Sequence, residues 1–250
     1  MKNKSRDKRT NPNEMHSFIA AFCCLLFSVG SIAQTNQRQN ATYTPVETII
    51  TDLNADTVND TIILYQTPVE GDPGLFTKMN VSVNGRRMTF FAKNAWDEIG
   101  FYLAETGQNA VLSKNAYVHK EGIQSYIFLF GFPYGSGREE VFILKVKGRN
   151  MDIIFHNKLE ELQRVSDLDN DGHAEMIVRR SPQFLTVEEE IGTYSPFIIY
   201  SLENFSVNKS LTEKYNKEHY IWKGIEYNDQ IEVYYPNDGS KPKLLKPNKP

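Results

Sequence analysis

The stretch Asp167-Leu-Asp-Asn-Asp-Gly-His-Ala-Glu175 decides how this sequence is interpreted, and it runs directly into the apolar residues Met176-Ile-Val178. Its carboxylates stand at positions 1, 3, 5 and 9 of a loop, with glycine at position 6. Alternate side chains of such a loop can surround a hard cation, while glycine permits the sharp turn. The predicted ligands are Asp167, Asp169, Asp171, the carbonyl of His173, and Glu175. Because all of them are oxygen atoms, the pattern favours Ca²⁺. An acidic turn without an ion is the alternative.

The same spacing occurs 115 residues earlier, between Asp52 and Asp60. Here Thr57 replaces the glycine, and a β-branched residue resists the positive φ that this position is expected to need. Either this copy binds metal or it is a turn that keeps its fold without an ion. The predicted ligands of the earlier copy are Asp52, Asn54, Asp56, the carbonyl of Val58, and Asp60.

Short runs of β-branched and aromatic residues, separated by turn residues, recur along the chain and predict an all-β fold. The dipeptide Asn84-Gly85 is typical of a tight hairpin turn, and Lys147–Asn150 predicts a second hairpin. The predicted strands are 61–65, 79–83, 88–91, 126–130, 141–146, 151–155, 197–200 and 231–235.

Helix is expected to be scarce, with three short candidates at 96–104, 159–165 and 211–217. Leu159, Leu162 and Val165 would permit a helix before the second acidic loop. An EF-hand is disfavoured because it needs a bidentate Glu at position 12, where this sequence has Val178.

The two loops resemble the D-x-[DN]-x-D-G-x-x-[DE] loop of FG-GAP (integrin-type, VCBS-like) repeats. The resemblance implies an antiparallel hairpin that holds calcium within a β-propeller blade. An interval of 115 residues is not plainly a whole number of ~40 to 45-residue repeats. We therefore expect a divergent or incomplete propeller-like assembly of antiparallel sheets with calcium-binding hairpin loops. Some bacterial envelope lysozyme inhibitors and immunity proteins are similar in this respect.

The first 33 residues are typical of a secretory signal peptide. Five basic residues precede an apolar run, Phe18–Phe27, and Ser31-Ile-Ala33 provides a small-residue cleavage site. The run is about half the ~20 residues that a bilayer core requires, so we predict cleavage, with no membrane span afterwards. We predict a flexible lead-in at 34–44, a folded calcium-binding domain at 45–239, and a basic, proline-rich tail without regular structure at 240–250.

Without the leader the chain would carry 23 basic and 29 acidic residues and no cysteine. A net charge of −6 argues against nucleic acid as a partner. The sequence has no recognisable catalytic motif, so we expect no enzyme but a structural or recognition protein, periplasmic or extracellular, with a protein or glycan partner. The alternatives are an inhibitor or immunity protein against a lysozyme-like hydrolase, and a carbohydrate-active enzyme. The aromatic-rich last third could serve sheet packing or recognition of a protein or sugar.

Overall fold

Antiparallel β-strands dominate the fold, as the sequence predicts. The computed structural model describes residues 42–66, 76–96, 110–131, 140–159, 161–186 and 190–245. In these segments the strands form four open antiparallel sheets, and the described backbone contains a single short helix. No helix in these segments has the length and apolar character needed to cross a membrane.

Sheets 1 and 2 are simple meanders, in which each strand pairs with the next strand along the chain. Sheet 1 consists of β1 (Thr44–Thr51), β2 (Asp60–Gln66), β3 (Phe76–Val83) and β4 (Arg86–Trp96). Sheet 2 consists of β5 (Ala110–Leu112), β6 (Tyr117–Glu121), β7 (Gln124–Gly131), β8 (Glu140–Lys147) and β9 (Asn150–Lys158).

The last part of the chain forms sheets 3 and 4, and it passes from one sheet to the other after every second strand. Sheet 3 has the order β10 (Glu161–Ser166), β11 (Glu175–Arg179), β14 (Phe197–Ser201) and β15 (Ser206–Val207). Sheet 4 has the order β12 (Phe184–Thr186), β13 (Ile191–Tyr194), β16 (Asn228–Tyr234) and β17 (Lys243–Leu244). Helix α1 (Lys209–His219) follows β15 and begins with an Asn208 side chain that accepts a hydrogen bond from Leu211 N.

Sheet 2 lies between sheets 1 and 3, and every residue of β7 is buried. One face of β7, with Ile127 and Leu129, packs in the same core as sheet 1. The opposite face, with Phe128 and Phe130, packs against sheet 3. A strand that is covered on both sides needs apolar residues at successive positions rather than alternation, which explains the run 126–130.

The far face of sheet 3 is covered by α1, because Ile177 and Ile199 pack with Leu211. Sheet 4 builds its own small core around Tyr194, Tyr220 and Val233. Tyr194 and Tyr220 stack with ring centroids 5.8 Å apart. The sequence analysis gave sheet packing and ligand recognition as alternative roles for the aromatic residues of the last third. Tyr194 and Tyr220 pack in the core of sheet 4.

Both predicted hairpins are confirmed. Asn84 and Gly85 adopt φ values of 48° and 74° between β3 and β4, as a turn with positive φ at both centres requires. The turn after Lys147 joins β8 and β9, with Lys147 paired to Asn150.

Of the three predicted helices, the one at 211–217 is confirmed and the one at 159–165 is wrong. Residues 211–217 lie inside α1, whereas 161–166 form β10. The register of β10 shifts between Leu162 and Arg164, and this bulge places Leu162 and Val165 on the same buried face. The bulge therefore produces a spacing of three residues that resembles one face of a helix. Of the third candidate, residues 97–104 lie outside the described residues.

The tail was expected to lack regular structure from residue 240 onward, and this is wrong for two residues. Lys243 and Leu244 form β17 and pair with β16 at the edge of sheet 4. Pro242 precedes this strand and lies outside its hydrogen-bonded ladder, so it does not prevent the pairing. The predicted leader, 1–33, lies outside the described residues, as does most of the lead-in.

Candidate cation site

The two acidic loops occupy the same place in two different sheets. The first joins β1 to β2, where Thr51 pairs with Asp60, and we call it loop 1 (52–60). The second joins β10 to β11, where Ser166 pairs with Glu175, and we call it loop 2 (167–175). Each loop therefore closes the hairpin made by the first two strands of its sheet. The interval of 115 residues runs from the first hairpin of sheet 1, through all of sheet 2, to the first hairpin of sheet 3.

Four hydrogen bonds recur at equivalent positions of the two loops. In loop 2 the Asp167 carboxylate accepts from Asp171 N at 3.2 Å and from Gly172 N at 3.0 Å. His173 N donates to Asp171 Oδ1, and Leu168 N donates to Glu175 Oε2. The matching bonds of loop 1 are Asp56 N and Thr57 N to Asp52, Val58 N to Asp56, and Leu53 N to Asp60. The repeated spacing thus produces one repeated backbone conformation.

Loop 2 brings three carboxylates together. Oxygen atoms of Asp167, Asp169 and Glu175 all lie within 4.8 Å of one another. Asp167 and Asp169 are exposed, whereas Glu175 is only 2% exposed. Burial raises the pKa of Glu175 to about 7, and the neighbouring aspartates add to this effect while Leu168 N–H opposes it. A cation among these oxygens would reverse the repulsion and favour the ionised form.

The Asp171 carboxylate, also predicted as a ligand, is not among these three converging side chains, and the ligand predicted from His173 is its backbone carbonyl rather than its ring. The Asp171 carboxylate is exposed and accepts the His173 N–H at 2.8 Å. The His173 ring turns to the neighbouring sheet, where its Nδ1 lies 3.1 Å from Glu121 Oε1. This contact with the Glu121 carboxylate raises the pKa of His173.

Glu121 is a residue of this site that the sequence analysis missed. It ends β6 in sheet 2, and its Oε2 accepts Ala174 N–H at 2.7 Å. Its two oxygens therefore hold consecutive residues of loop 2, which ties that loop to the central sheet. No sequence signal marks this role, because Glu121 lies more than 50 residues away and ends a strand beside an ordinary hairpin turn.

Loop 1 has the same backbone but different neighbours. Asn84, in the turn between β3 and β4, donates from its side-chain amide to Asp56 Oδ2 at 2.6 Å. The Val58 N–H and this amide together lower the pKa of Asp56. Asn54 directs its amide to the Gly148 carbonyl at 3.1 Å and accepts Asp56 N–H on its own oxygen. Several oxygens of loop 1 are therefore already engaged by hydrogen-bond donors.

The last acid of loop 1 is buried like its counterpart. Asp60 is 2% exposed, and burial raises its pKa, although the Leu53 and Asn84 N–H groups oppose the shift. The Val58 side chain is 56% exposed and has no ligand atom, so only the backbone carbonyl of this residue can contribute to a site.

Both loops turn through left-handed backbone. Asn170 and Gly172 have φ values of 62° and 91°, and their counterparts Ala55 and Thr57 have 58° and 69°. The expectation that position 6 requires positive φ is confirmed. Thr57 nevertheless adopts it, and a β-branched residue in this region is strained by about 1–2 kcal/mol. The hydrogen bonds of loop 1 therefore maintain a conformation that Gly172 adopts without this penalty.

Comparison with known proteins finds no matching family model, no similar curated protein and no similar solved structure.

Proposed function

We propose that this protein is an exported calcium-binding β-protein with a structural or recognition role, and that loop 2 is its principal ion site. The observation that carries the proposal is the convergence of oxygens from Asp167, Asp169 and Glu175 within 4.8 Å. Three carboxylates at this separation repel one another, and a divalent cation would neutralise them.

The donor set fits calcium. Its side-chain ligands are carboxylates, and loop 2 contains no thiolate that would favour a softer metal. Asp171 and the carbonyl of His173 complete the proposed set, which the FG-GAP-like spacing suggested. Glu121 and His173 hold the loop from the side of sheet 2.

Loop 1 is proposed as the weaker site. It offers Asp52, Asn54, Asp56, the carbonyl of Val58, and Asp60. Its amide in place of Asp169 carries no charge, and Asn84 already engages Asp56. Fewer charges and competing donors both reduce calcium affinity.

A blade-like arrangement of the sheets is also proposed. It is supported by the face-to-face packing of sheets 1, 2 and 3 and by the equivalent positions of the two loops. Export is proposed from the leader-like sequence at 1–33. Mass spectrometry of the protein from its native host should find Gln34 at the N-terminus, whereas recovery of the intact leader would contradict export.

Calorimetric titration of the chelated protein with calcium tests the ion site. We expect one dominant site with Kd of ~10⁻⁴ to 10⁻³ M, the range of extracellular modules. Asp169→Ala should abolish this site, and Asp56→Ala should leave it intact. Absence of binding up to several times ~10⁻³ M, with an unchanged melting curve in chelator, would reduce loop 2 to an acidic turn. A parallel titration with magnesium measures selectivity.

A further inference from the structure

A groove lies beside the C-terminal end of α1, far in the sequence from both acidic loops. It has a volume of about 440 Å³ and is widely open to solvent. Its lining consists of Lys217, Tyr220, Ile221, Trp222, Lys241, Lys243 and Leu244. The groove thus combines an aromatic and aliphatic surface with three lysines.

The polar side-chain groups that this groove presents are hydrogen-bond donors. Lysine ammonium groups and the indole N–H of Trp222 only donate. The Tyr220 hydroxyl is already engaged, because it lies 2.6 Å from the Tyr235 hydroxyl and accepts Ser195 N–H. Among the described residues, no carboxylate or amide side chain lines the groove. Neutral sugars, whose hydroxyls need both donors and acceptors, are therefore poorly matched, whereas an anion is well matched.

Two of the lysines are held in position at the groove. The Lys241 ammonium donates to the Lys217 carbonyl at 2.5 Å, where the helix ends. Lys217 itself pairs with Glu213 one turn earlier in α1. The segment 241–250 contains four lysines and no acid, in a chain whose net charge is negative. The described residues Lys217, Lys241 and Lys243 therefore bring three positive charges to the groove, one of which is paired with Glu213.

The apolar part of the groove has an aliphatic component. Leu244, 37% exposed, belongs to β17, which is the edge strand of sheet 4. Ile221 and Trp222 are half-buried. Aliphatic side chains suit a Leu or Phe side chain of a ligand better than they suit a sugar ring, and an edge strand provides backbone groups to an extended chain.

From these observations we infer that the groove binds an acidic peptide segment of a protein partner, in which a Glu or Asp lies next to an apolar side chain. The carboxylates contact Lys217, Lys241 and Lys243, and the apolar side chain packs on Ile221 and Leu244. This inference does not depend on the calcium proposal, because the groove and the acidic loops share no residue.

The fluorescence of Trp222 provides a direct test, since Trp96 is fully buried. The probe is acetyl-Glu-Leu-Glu-Leu-Glu-amide, titrated into the full chain both with chelator and with calcium. We expect saturable binding that is at least about tenfold tighter than that of the Gln-Leu-Gln-Leu-Gln and Glu-Ser-Glu-Ser-Glu counterparts. Affinity should fall as NaCl rises from about 50 to about 300 mM. The signal should disappear in Trp222→Phe.

Matched variants locate the site. The triple change Lys217→Gln, Lys241→Gln and Lys243→Gln should weaken binding at least about tenfold. The control triple changes exposed lysines outside the groove, Lys147→Gln, Lys158→Gln and Lys209→Gln, and should bind as the wild type does. Equal affinity in both triples, equal affinity for the neutral peptide, or no saturable binding would overturn the inference. Tighter binding of tetragalacturonate than of the acidic peptide would assign the groove to an anionic glycan instead, and would also overturn it.

Discussion

Asp169→Asn is expected to change the free energy of unfolding in opposite directions without and with calcium. In the ion-free loop the Asp169 carboxylate lies within 4.8 Å of carboxylate oxygens from Asp167 and Glu175. Within the described part of the chain it accepts no hydrogen bond, unlike Asp167 and Asp171, which accept backbone N–H groups. The amide therefore removes a charge without removing a hydrogen bond.

The magnitude follows from the geometry. Two unit charges about 4 Å apart in water interact by about 1 kcal/mol, so removing two repulsive pairs gains at most about 2 kcal/mol. Asp167 and Asp169 are exposed, and salt screening reduces this gain to about 1 kcal/mol. Free calcium at 100 times Kd stabilises the wild type by about 2.7 kcal/mol. A variant with about 30-fold weaker affinity gains only about 0.9 kcal/mol.

Asp169→Asn should therefore be about 1 kcal/mol more stable than wild type in chelator and about 1 kcal/mol less stable in calcium. Urea unfolding at about pH 8, above the pKa of about 7 for Glu175, measures both values. Asp152→Asn, at an exposed position of β9, is the matched control and should change stability by less than about 0.5 kcal/mol in either condition. A change of the same sign in both conditions would refute the reasoning.

Three further predictions concern backbone strain and protonation. Thr57→Gly should stabilise the protein by about 1 kcal/mol, because the φ of 69° at this position is strained for threonine. Gly172→Ala, at a φ of 91°, should destabilise the protein by a similar amount. Urea unfolding midpoints measure both changes, and changes of the same sign in the two variants would contradict the strain argument. Because the pKa of Glu175 is raised from 4.5 to about 7, the stability of the chelated protein should fall as pH rises from 4.5 to 7, and Glu175→Gln should remove this part of the pH profile. Burial lowers the pKa of His119 below 6.5, so the unfolded chain binds protons more readily than the folded chain does. The free energy of unfolding should therefore fall as pH drops below 6.5. His119→Gln should reduce this dependence on pH, and an unchanged dependence would contradict the prediction.

Local sequence was sufficient for eight of the seventeen described strands and for both tight turns. Asn84-Gly85 determines its turn because only a few residue types tolerate positive φ at successive positions. The carboxylate spacing of loop 2 likewise determined the convergence of Asp167, Asp169 and Glu175. These features depend on residues within about ten positions of one another, and the chain brings them together by its own geometry. Whether an ion binds there remains a prediction.

Where the sequence prediction was wrong, the pairing with a neighbouring strand of the same sheet decides the structure. The apolar spacing in β10 permits a helix as well as a strand, because a bulge that forms against β11 places Leu162 and Val165 on one face. The tail gains a strand only because β16 provides a partner for Lys243 and Leu244. Hydrophobic periodicity indicates which residues are buried, but it does not indicate which strand or helix covers them.

The class of fold, the turns and the spacing of the acidic loops follow from the amino-acid sequence alone. Three features follow instead from long-range packing: sheet 2 is covered on both faces, Glu121 holds loop 2, and Asn84 engages loop 1. The two loops have nearly the same local pattern, yet their neighbours differ. The physical reason is that hydrogen-bond donors and buried surface at each loop come from strands and turns many residues away, and these meet only when the sheets pack.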